Sequence, residues 1–312
     1  MKYFKNNLEI AKFLLQIEKK AYGTVKKLKI DVEDKKSDTK KFDLVTNYDK
    51  TIEKLAIAEL GKAFDNPKIV SEEFNDKVEA KGTYFVIDPI DGTLNFANGI
   101  DLWGIQMAYV VNDEIVASAI FNPKYGEYYA GKGMGAFRNG KRFFTEKKPL
   151  HHLLFNLGVK PTPFMKILPA LKDICLEVRA FGVASMGLVF VAEGKLGVYV
   201  METNAHPWDS FPGFLLGTEA GCVLGTAAGF NVMANNEEAL KTICASIENT
   251  IEKQDTSSQT KKTKNAKTAK VEKEKPMAKT NTEKKIIKTT TETSSTKKEK
   301  NQKKTETKNS KN

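Results

Sequence analysis

The stretch Phe85-Val86-Ile87-Asp88-Pro89-Ile90-Asp91-Gly92-Thr93-Leu94-Asn95-Phe96 constrains this chain more than any other. An apolar strand run ends on two aspartates three residues apart, with proline between them and Gly-Thr behind. Strand ends are where a sheet presents side chains in a crevice while its core stays dry. Pro89 fixes its own φ and disfavours the helical region for Asp88. A turn there would aim both carboxylates and the Ile90 carbonyl into one space, and Gly92 would let the chain reverse and leave the Thr93 hydroxyl beside them. Hard divalent cations such as Mg²⁺ take oxygen ligands of this kind. Asp, Pro and Gly are also turn formers, so the stretch taken alone favours an Asx turn.

Other acids stand at comparable places. Asp43 and Asp49 flank a short extended piece, Glu72 and Glu73 follow the strand Lys68–Val70, and Asp209 comes just after Trp208. Singly, Glu72-Glu73 reads as a solvated loop and Asp209 as a helix N-cap. Several together could converge on one site. With only His151, His152 and His206, the chain offers no Ser-His-Asp or Cys-His arrangement, and GKGMGAF lacks the Lys-Ser/Thr ending of a nucleotide-binding P-loop.

Apolar spacing predicts helices from Leu8 to about Leu28 and over Tyr48–Phe64, which puts Asp49 in a first turn, at the positive end of the dipole. Strands are expected at Tyr84–Ile87, Gly104–Val111, Glu114–Phe121 and Glu127–Ala130, with hairpin turns at Asn112-Asp113 and Asn139-Gly140. Residues 1–140 thus read as helices on an antiparallel sheet. Residues 141–250 alternate: strands at Glu177–Phe181, Leu196–Met201 and Asn231–Ala234, helices at Ser185–Glu193, Asp209–Ala220 and Glu237–Ile247. Such alternation argues an α/β layer with helices on both faces of a sheet.

The chain has 312 residues and a formal net charge of +11. Residues 253–312 hold 19 lysines against 7 acids, a net +12 that leaves −1 for everything before. With almost no apolar area to offset the entropy of ordering, residues 251–312 are expected to be a disordered tail. Its functional reading is contact with a nucleic acid or an anionic surface; lacking aromatic residues to stack on bases, it reads first as a solubilising extension. Cys175, Cys222 and Cys244 have no paired spacing and fit a reducing cytoplasm. No signal peptide and no apolar run long enough to span a bilayer is read in the sequence.

DLVTNYDK (Asp43 to Lys50), SEEF (Ser71 to Phe74), DPIDGTLNF (Asp88 to Phe96) and PWDSFPGFLLGTEAG (Pro207 to Gly221) resemble the ordered motifs of the inositol monophosphatase family, over about residues 5–248. The resemblance implies a phosphatase domain over 1–250 with an α+β layered sandwich in alternating α-β-α-β-α layers, and a Mg²⁺-dependent, often lithium-sensitive phosphomonoesterase that forms homodimers. It also implies residue roles. Glu72, Asp88 and the Ile90 carbonyl would hold one Mg²⁺; Asp88, Asp91 and Asp209 a second; Glu72 with waters a weaker third. Asp49 and Thr93 would orient and help deprotonate the attacking water. Gly182, Val183 and Ala184 would lie by the alcohol portion of the substrate, where Glu202 would accept hydrogen bonds from hydroxyls. Independently of the resemblance, Gly92 and Thr93 offer backbone N–H groups to a phosphate if a helix begins near Leu94.

The sequence also departs from the family. Pro212 stands in the Trp-Asp helix, the segment between Gly140 and Arg179 is short, and the stretch after Cys222 lacks the usual acidic turn. Inositol 1-phosphate is the first substrate expected. Fructose 1,6-bisphosphate, histidinol phosphate and 3′-phosphoadenosine 5′-phosphate come next; a bisphosphate or adenine nucleotide would want further cationic or aromatic groups, and residues 150–182 offer only Lys160, Lys166, Lys172 and Arg179 as cations, which favours a monophosphate. A reading of another class is an RNA- or ribosome-associated protein that uses the fold as scaffold and the lysine tail as contact.

Overall fold

The computed structural model describes residues 4–34, 44–149, 155–158, 161–175 and 177–273. The first half contains α1 (Asn7–Val25), β1 (Val32–Asp34), β2 (Leu44–Thr46), α2 (Asn47–Ala63), β3 (Ile69–Ser71), β4 (Tyr84–Asp91), α3 (Thr93–Ala97), β5 (Gly104–Val111), β6 (Glu114–Asn122), β7 (Gly126–Gly131), β8 (Gly135–Arg138) and β9 (Lys141–Phe143). The second continues with β10 (Phe155–Gly158), α4 (Pro161–Ile167), a 3₁₀ turn at Leu168–Leu171, β11 (Val178–Arg179), α5 (Ala184–Ala192), β12 (Val198–Glu202), α6 (Pro207–Glu219), β13 (Val223–Ala227), β14 (Phe230–Ala234) and α7 (Glu237–Lys273).

Strands β3 to β9 form a seven-stranded sheet in sequence order, antiparallel except for the parallel pair β3–β4. A mixed five-stranded sheet has the order β11-β10-β12-β14-β13. Period-two alternation of apolar residues explains the layering. Ala119 and Phe121 of β6 point to the core under α1 and α2, while Ile120 between them packs with Met186 of α5 and Leu216 of α6. Likewise Val198 and Val200 of β12 face Ile243 and Ile247 of α7, and Tyr199 and Met201 face α5 and α6. The result is α1/α2, sheet, α5/α6, sheet, α4/α7: the five alternating layers expected.

The helix starts are chemically specified. The Asn6 side chain accepts from the Glu9 N–H at 3.0 Å ahead of α1. Thr46 and Asp49 form a capping box at α2. The Gly-rich GKGMG turn has a structural use: the Glu219 carboxylate at the end of α6 accepts from the Gly133 and Gly135 N–H groups, at 2.7 Å each. Trp208 is core, packed among Val70, Val86 and Val110. Helix α6 continues through Pro212, which sits in its second turn rather than its first.

Residues Met1–Lys261 form one compact unit. Helix α7, expected to close at Ile247, continues to Lys273, through a segment rich in Lys, which favours helix, and in Thr, which does not. The remainder of the lysine-rich extension, Asp43, His151, His152 and Lys160 lie outside the described residues. Among the described residues the three cysteines are free, and no helix is long and apolar enough to cross a membrane.

Candidate active site

Strand β4 does not stop at Asp88, as the turn reading expects, but runs through Asp91 with a bulge. Asp88 pairs with Gln106 and Asp91 with Gly104, so β4 spends two intervening residues where β5 spends one. On a regular strand, residues three apart face opposite sides; the one extra residue turns both aspartates to the same side. Pro89 fits because β3 pairs with β4 only as far as Ile87, so no ladder partner is asked of its missing N–H on that side. Gly92 then adopts φ 86°, a left-handed conformation, and a Cβ there would press on the Leu102 carbonyl and the Val183 side chain at 3.1 Å.

The bulge brings Asp88 and Asp91 to Asp209, and one carboxylate oxygen from each lies within 4.8 Å of the others. Asp88 and Asp91 are buried and Asp209 half-buried. Burial, followed by the charges of Glu72, Asp91 and Asp209, raises Asp88 well above the usual carboxylate range. Burial likewise raises Asp91 to about 6, although the Ala184 and Ser185 N–H groups at the start of α5 donate to it and oppose the rise. Asp88 Oδ1 is buried with no hydrogen-bond partner among the described residues. An all-oxygen set, like-charged, desolvated and with one orphaned acceptor, fits a hard divalent cation.

Around this cluster lies a pocket of about 410 Å³ bordered by Glu72, Ile90, Gly92, Thr93 and Gly182. The Thr93 hydroxyl donates to the Ile90 carbonyl at 2.9 Å and stands 3.4 Å from Asp49 Oδ1. Asp49 Oδ2 accepts from the Thr46 N–H at 2.7 Å and hydroxyl at 2.5 Å. Asp209 has the same place in α6: its Oδ2 accepts from the His206 N–H at 3.1 Å, and the His206 ring stacks on Trp208 at 4.3 Å. A second pocket of about 460 Å³ shares Asp91, Gly182 and Asp209 with the first and is bordered further by Val183, Ala184, Tyr199 and Glu202. Burial, then the Asp91 and Asp209 charges, raises the Tyr199 phenol well above its ordinary pKa.

The sequence model of the inositol monophosphatase family matches residues 4–259. The chain belongs to the inositol monophosphatase family. A protein named fructose-1,6-bisphosphatase/inositol-1-monophosphatase from Aquifex aeolicus is 32% identical over 235 residues, covering 72% of this chain and 86% of its own. The Nus factor SuhB of Escherichia coli is 28% identical, over 66% of this chain and 82% of its own. A Staphylococcal inositol monophosphatase structure superposes with a TM-score of 0.67 at 23% identity, covering 77% of this chain and 95% of that one. These inositol monophosphatase folds share the layered architecture seen here.

Every described residue that the sequence assigned to the site borders one of the two pockets except Asp49, which joins through Thr93. Glu202 lies in the second pocket, which it lines together with Asp91 and Asp209 of the cluster. Three contributors were missed. Glu53 of α2 is fully buried and its carboxylate accepts from the Ser71 hydroxyl at 2.5 Å and from the Glu73 and Phe74 N–H groups at 2.9 Å, fixing the turn that carries Glu72. Burial raises its pKa, the three hydrogen bonds opposing. Asn95 donates from Nδ2 to the Leu102 and Phe181 carbonyls at 2.8 and 2.7 Å. Tyr199 floors the second pocket. Glu53 carried a signal, its i+4 spacing from Asp49 on one helix face; Asn95 lay inside the quoted motif.

Proposed function

We propose that the chain is a Mg²⁺-dependent phosphomonoesterase acting on a small polyol or sugar phosphate, inositol 1-phosphate first. The observation that carries this reading is the meeting of the Asp88, Asp91 and Asp209 carboxylate oxygens within 4.8 Å where two pockets join. Glu72, Asp88 and the Ile90 carbonyl would hold one cation, and Asp88, Asp91 and Asp209 a second. Bound there, Mg²⁺ supplies a lowered water pKa and neutralises charge on phosphate oxygens and the leaving alkoxide.

The chain's own residues supply the rest. Thr93, held by the Ile90 carbonyl, orients the attacking water, and Asp49 beside it takes up the proton. The phosphate occupies the first pocket, with the Gly92 and Thr93 backbone beside it. The alcohol portion occupies the second, against Gly182, Val183 and Ala184, with Glu202 accepting from its hydroxyls. Fructose 1,6-bisphosphate, histidinol phosphate and 3′-phosphoadenosine 5′-phosphate are the alternative substrates, the first supported by the name of the Aquifex relative. A cytoplasmic homodimer completes the reading.

Phosphate release by the full chain from a panel of these esters, with Mg²⁺ and with EDTA, tests it. Mg²⁺-dependent release from one ester is expected. No release from any, with Mg²⁺ bound, would overturn it. In that event a second reading gains ground, a nucleic-acid contact through the lysine-rich extension, supported by relatives named Nus factor SuhB and by the net +12 of residues 253–312. RNA binding that falls steeply with salt and vanishes when residues 274–312 are removed would support it.

A further inference from the structure

Tyr199 is the second residue of β12 and is 1% exposed. Two neighbouring positions give up their side chains to seat it. A Cβ on Gly158, in the adjacent parallel strand β10, would fall 1.8 Å from the Tyr199 hydroxyl, and one on Gly187 of α5 would fall 2.3 Å from its Cε2. The ring is therefore closely packed at both its tip and its flank. A phenol hydroxyl in a protein interior ordinarily finds a hydrogen-bond partner. That of Tyr199 bonds to no described residue and is not among the fully enclosed unpaired side-chain atoms. What the residue borders is the second pocket, together with Asp91, Asp209, Glu202 and Gly182.

We propose that Tyr199 is a substrate-contacting, specificity-determining residue: its hydroxyl donates a hydrogen bond to a hydroxyl oxygen of the alcohol portion of a polyol phosphate, in the same pocket where the Glu202 carboxylate accepts one. The proposal rests on the phosphatase reading above and adds to it a residue that selects for hydroxyls in the alcohol portion. A pocket that offers one fixed donor and one acceptor recognises neighbouring hydroxyls, each of which both gives and takes a hydrogen bond. A pocket so built discriminates strongly, because an ester without hydroxyls leaves a buried polar group unpaired. Asp91 and Asp209 border both pockets, so a phosphate held beside them would place the ester's alcohol portion next to Tyr199.

Tyr199→Phe keeps the ring and removes only the hydroxyl, so the packing between Gly158 and Gly187 is retained. With the full chain and Mg²⁺, kcat/KM is measured for wild type and variant on inositol 1-phosphate, glycerol 2-phosphate and fructose 1,6-bisphosphate, and on phenyl phosphate, which has no hydroxyl. Thermal unfolding is followed in parallel. The expected result is a loss of about tenfold on the polyol phosphate that wild type hydrolyses best, no change on phenyl phosphate, and no fall in Tm. An unchanged variant or an equal loss on all esters would overturn the Tyr199 assignment while leaving the phosphatase reading standing; a wild type that hydrolyses phenyl phosphate alone would overturn both the assignment and the polyol substrate class. A wild type that releases phosphate from no ester would overturn the assignment and the phosphatase reading together.

Discussion

Both polar groups of the Phe181 peptide are held by asparagine side chains from different halves of the fold. Asn95 Nδ2 donates to the carbonyl at 2.7 Å, and Asn156 Oδ1 accepts from the N–H at 3.3 Å. Phe181 directly precedes Gly182, which borders both pockets. The Phe181-Gly182 loop is thus tied on one side to the helix that follows the Asp-Pro-Ile-Asp motif and on the other to β10.

Asn95→Ala removes the first tie together with its bond to the Leu102 carbonyl. It should cost about 1–3 kcal/mol of stability and raise KM more than it lowers kcat, because the loop is displaced while the carboxylate cluster stays. Thermal unfolding and steady-state kinetics check both parts. A fall in kcat at unchanged KM would contradict the positioning role.

Glu53 acts on Glu72 through the backbone. Glu53→Gln leaves a single acceptor oxygen for three donors and so loosens the Ser71–Phe74 turn. The apparent Mg²⁺ affinity should weaken by about 10–100-fold, with much of kcat recovered at saturating Mg²⁺. A Mg²⁺ titration of phosphate release that superposes on wild type would refute this.

Without cations, the raised Asp88 and Asp91 carboxyls make stability depend on pH with a defined sign. Asp91 titrates near 6 in the folded chain and near the ordinary ~4 when unfolded, so between those values the folded state holds protons that the unfolded state has released. Stability in EDTA should therefore fall as pH rises through that window, and Mg²⁺ should restore it above, since it binds the deprotonated carboxylates. Asp88→Asn should melt higher than wild type in EDTA at pH 7, lose the Mg²⁺-dependent rise in Tm, and release almost no phosphate. Retained activity in this variant would remove Asp88 from the site.

Glu18 supplies a control remote from that chemistry. It is fully buried on α1, and burial raises its pKa well above the usual range, with the Met107 backbone offsetting part. Its carboxyl is tolerated while protonated and costs stability as pH climbs past the ordinary carboxylate value. Glu18→Gln should match wild type near pH 4, exceed it by on the order of 1–3 kcal/mol at pH 8, and leave phosphate release intact. Equal stability at pH 8 would show that the buried carboxylate is not strained.

The layers and the carboxylate set were legible in the sequence because both rest on local patterns: apolar periodicity for α1, β4 and α5, and short acid-bearing motifs at the ends of elements. The bulge was not, because an extra residue exists only relative to the paired strand, and nothing within Asp88–Asp91 says how many residues β5 spends opposite. Glu53 looks like any helix acid until the Ser71–Phe74 turn, 18 to 21 residues on, closes over it. Strand β10 and helix α4 were passed over because each is short, and Pro161 and Pro163 look like loop residues although proline is tolerated in a helix's first turn. Strand β13 carries Gly225 and exposed Leu224, which blur its alternation.

Asp91 belongs to two structures at once, the acidic cluster and the first turn of α5, whose Ala184 and Ser185 N–H groups it accepts. A cation there would compete with the helix end for one carboxylate's electron density. It would be held less tightly than by three unshared carboxylates, which would favour exchange over permanent residence, and its arrival or departure would change that carboxylate's grip on the first turn of α5.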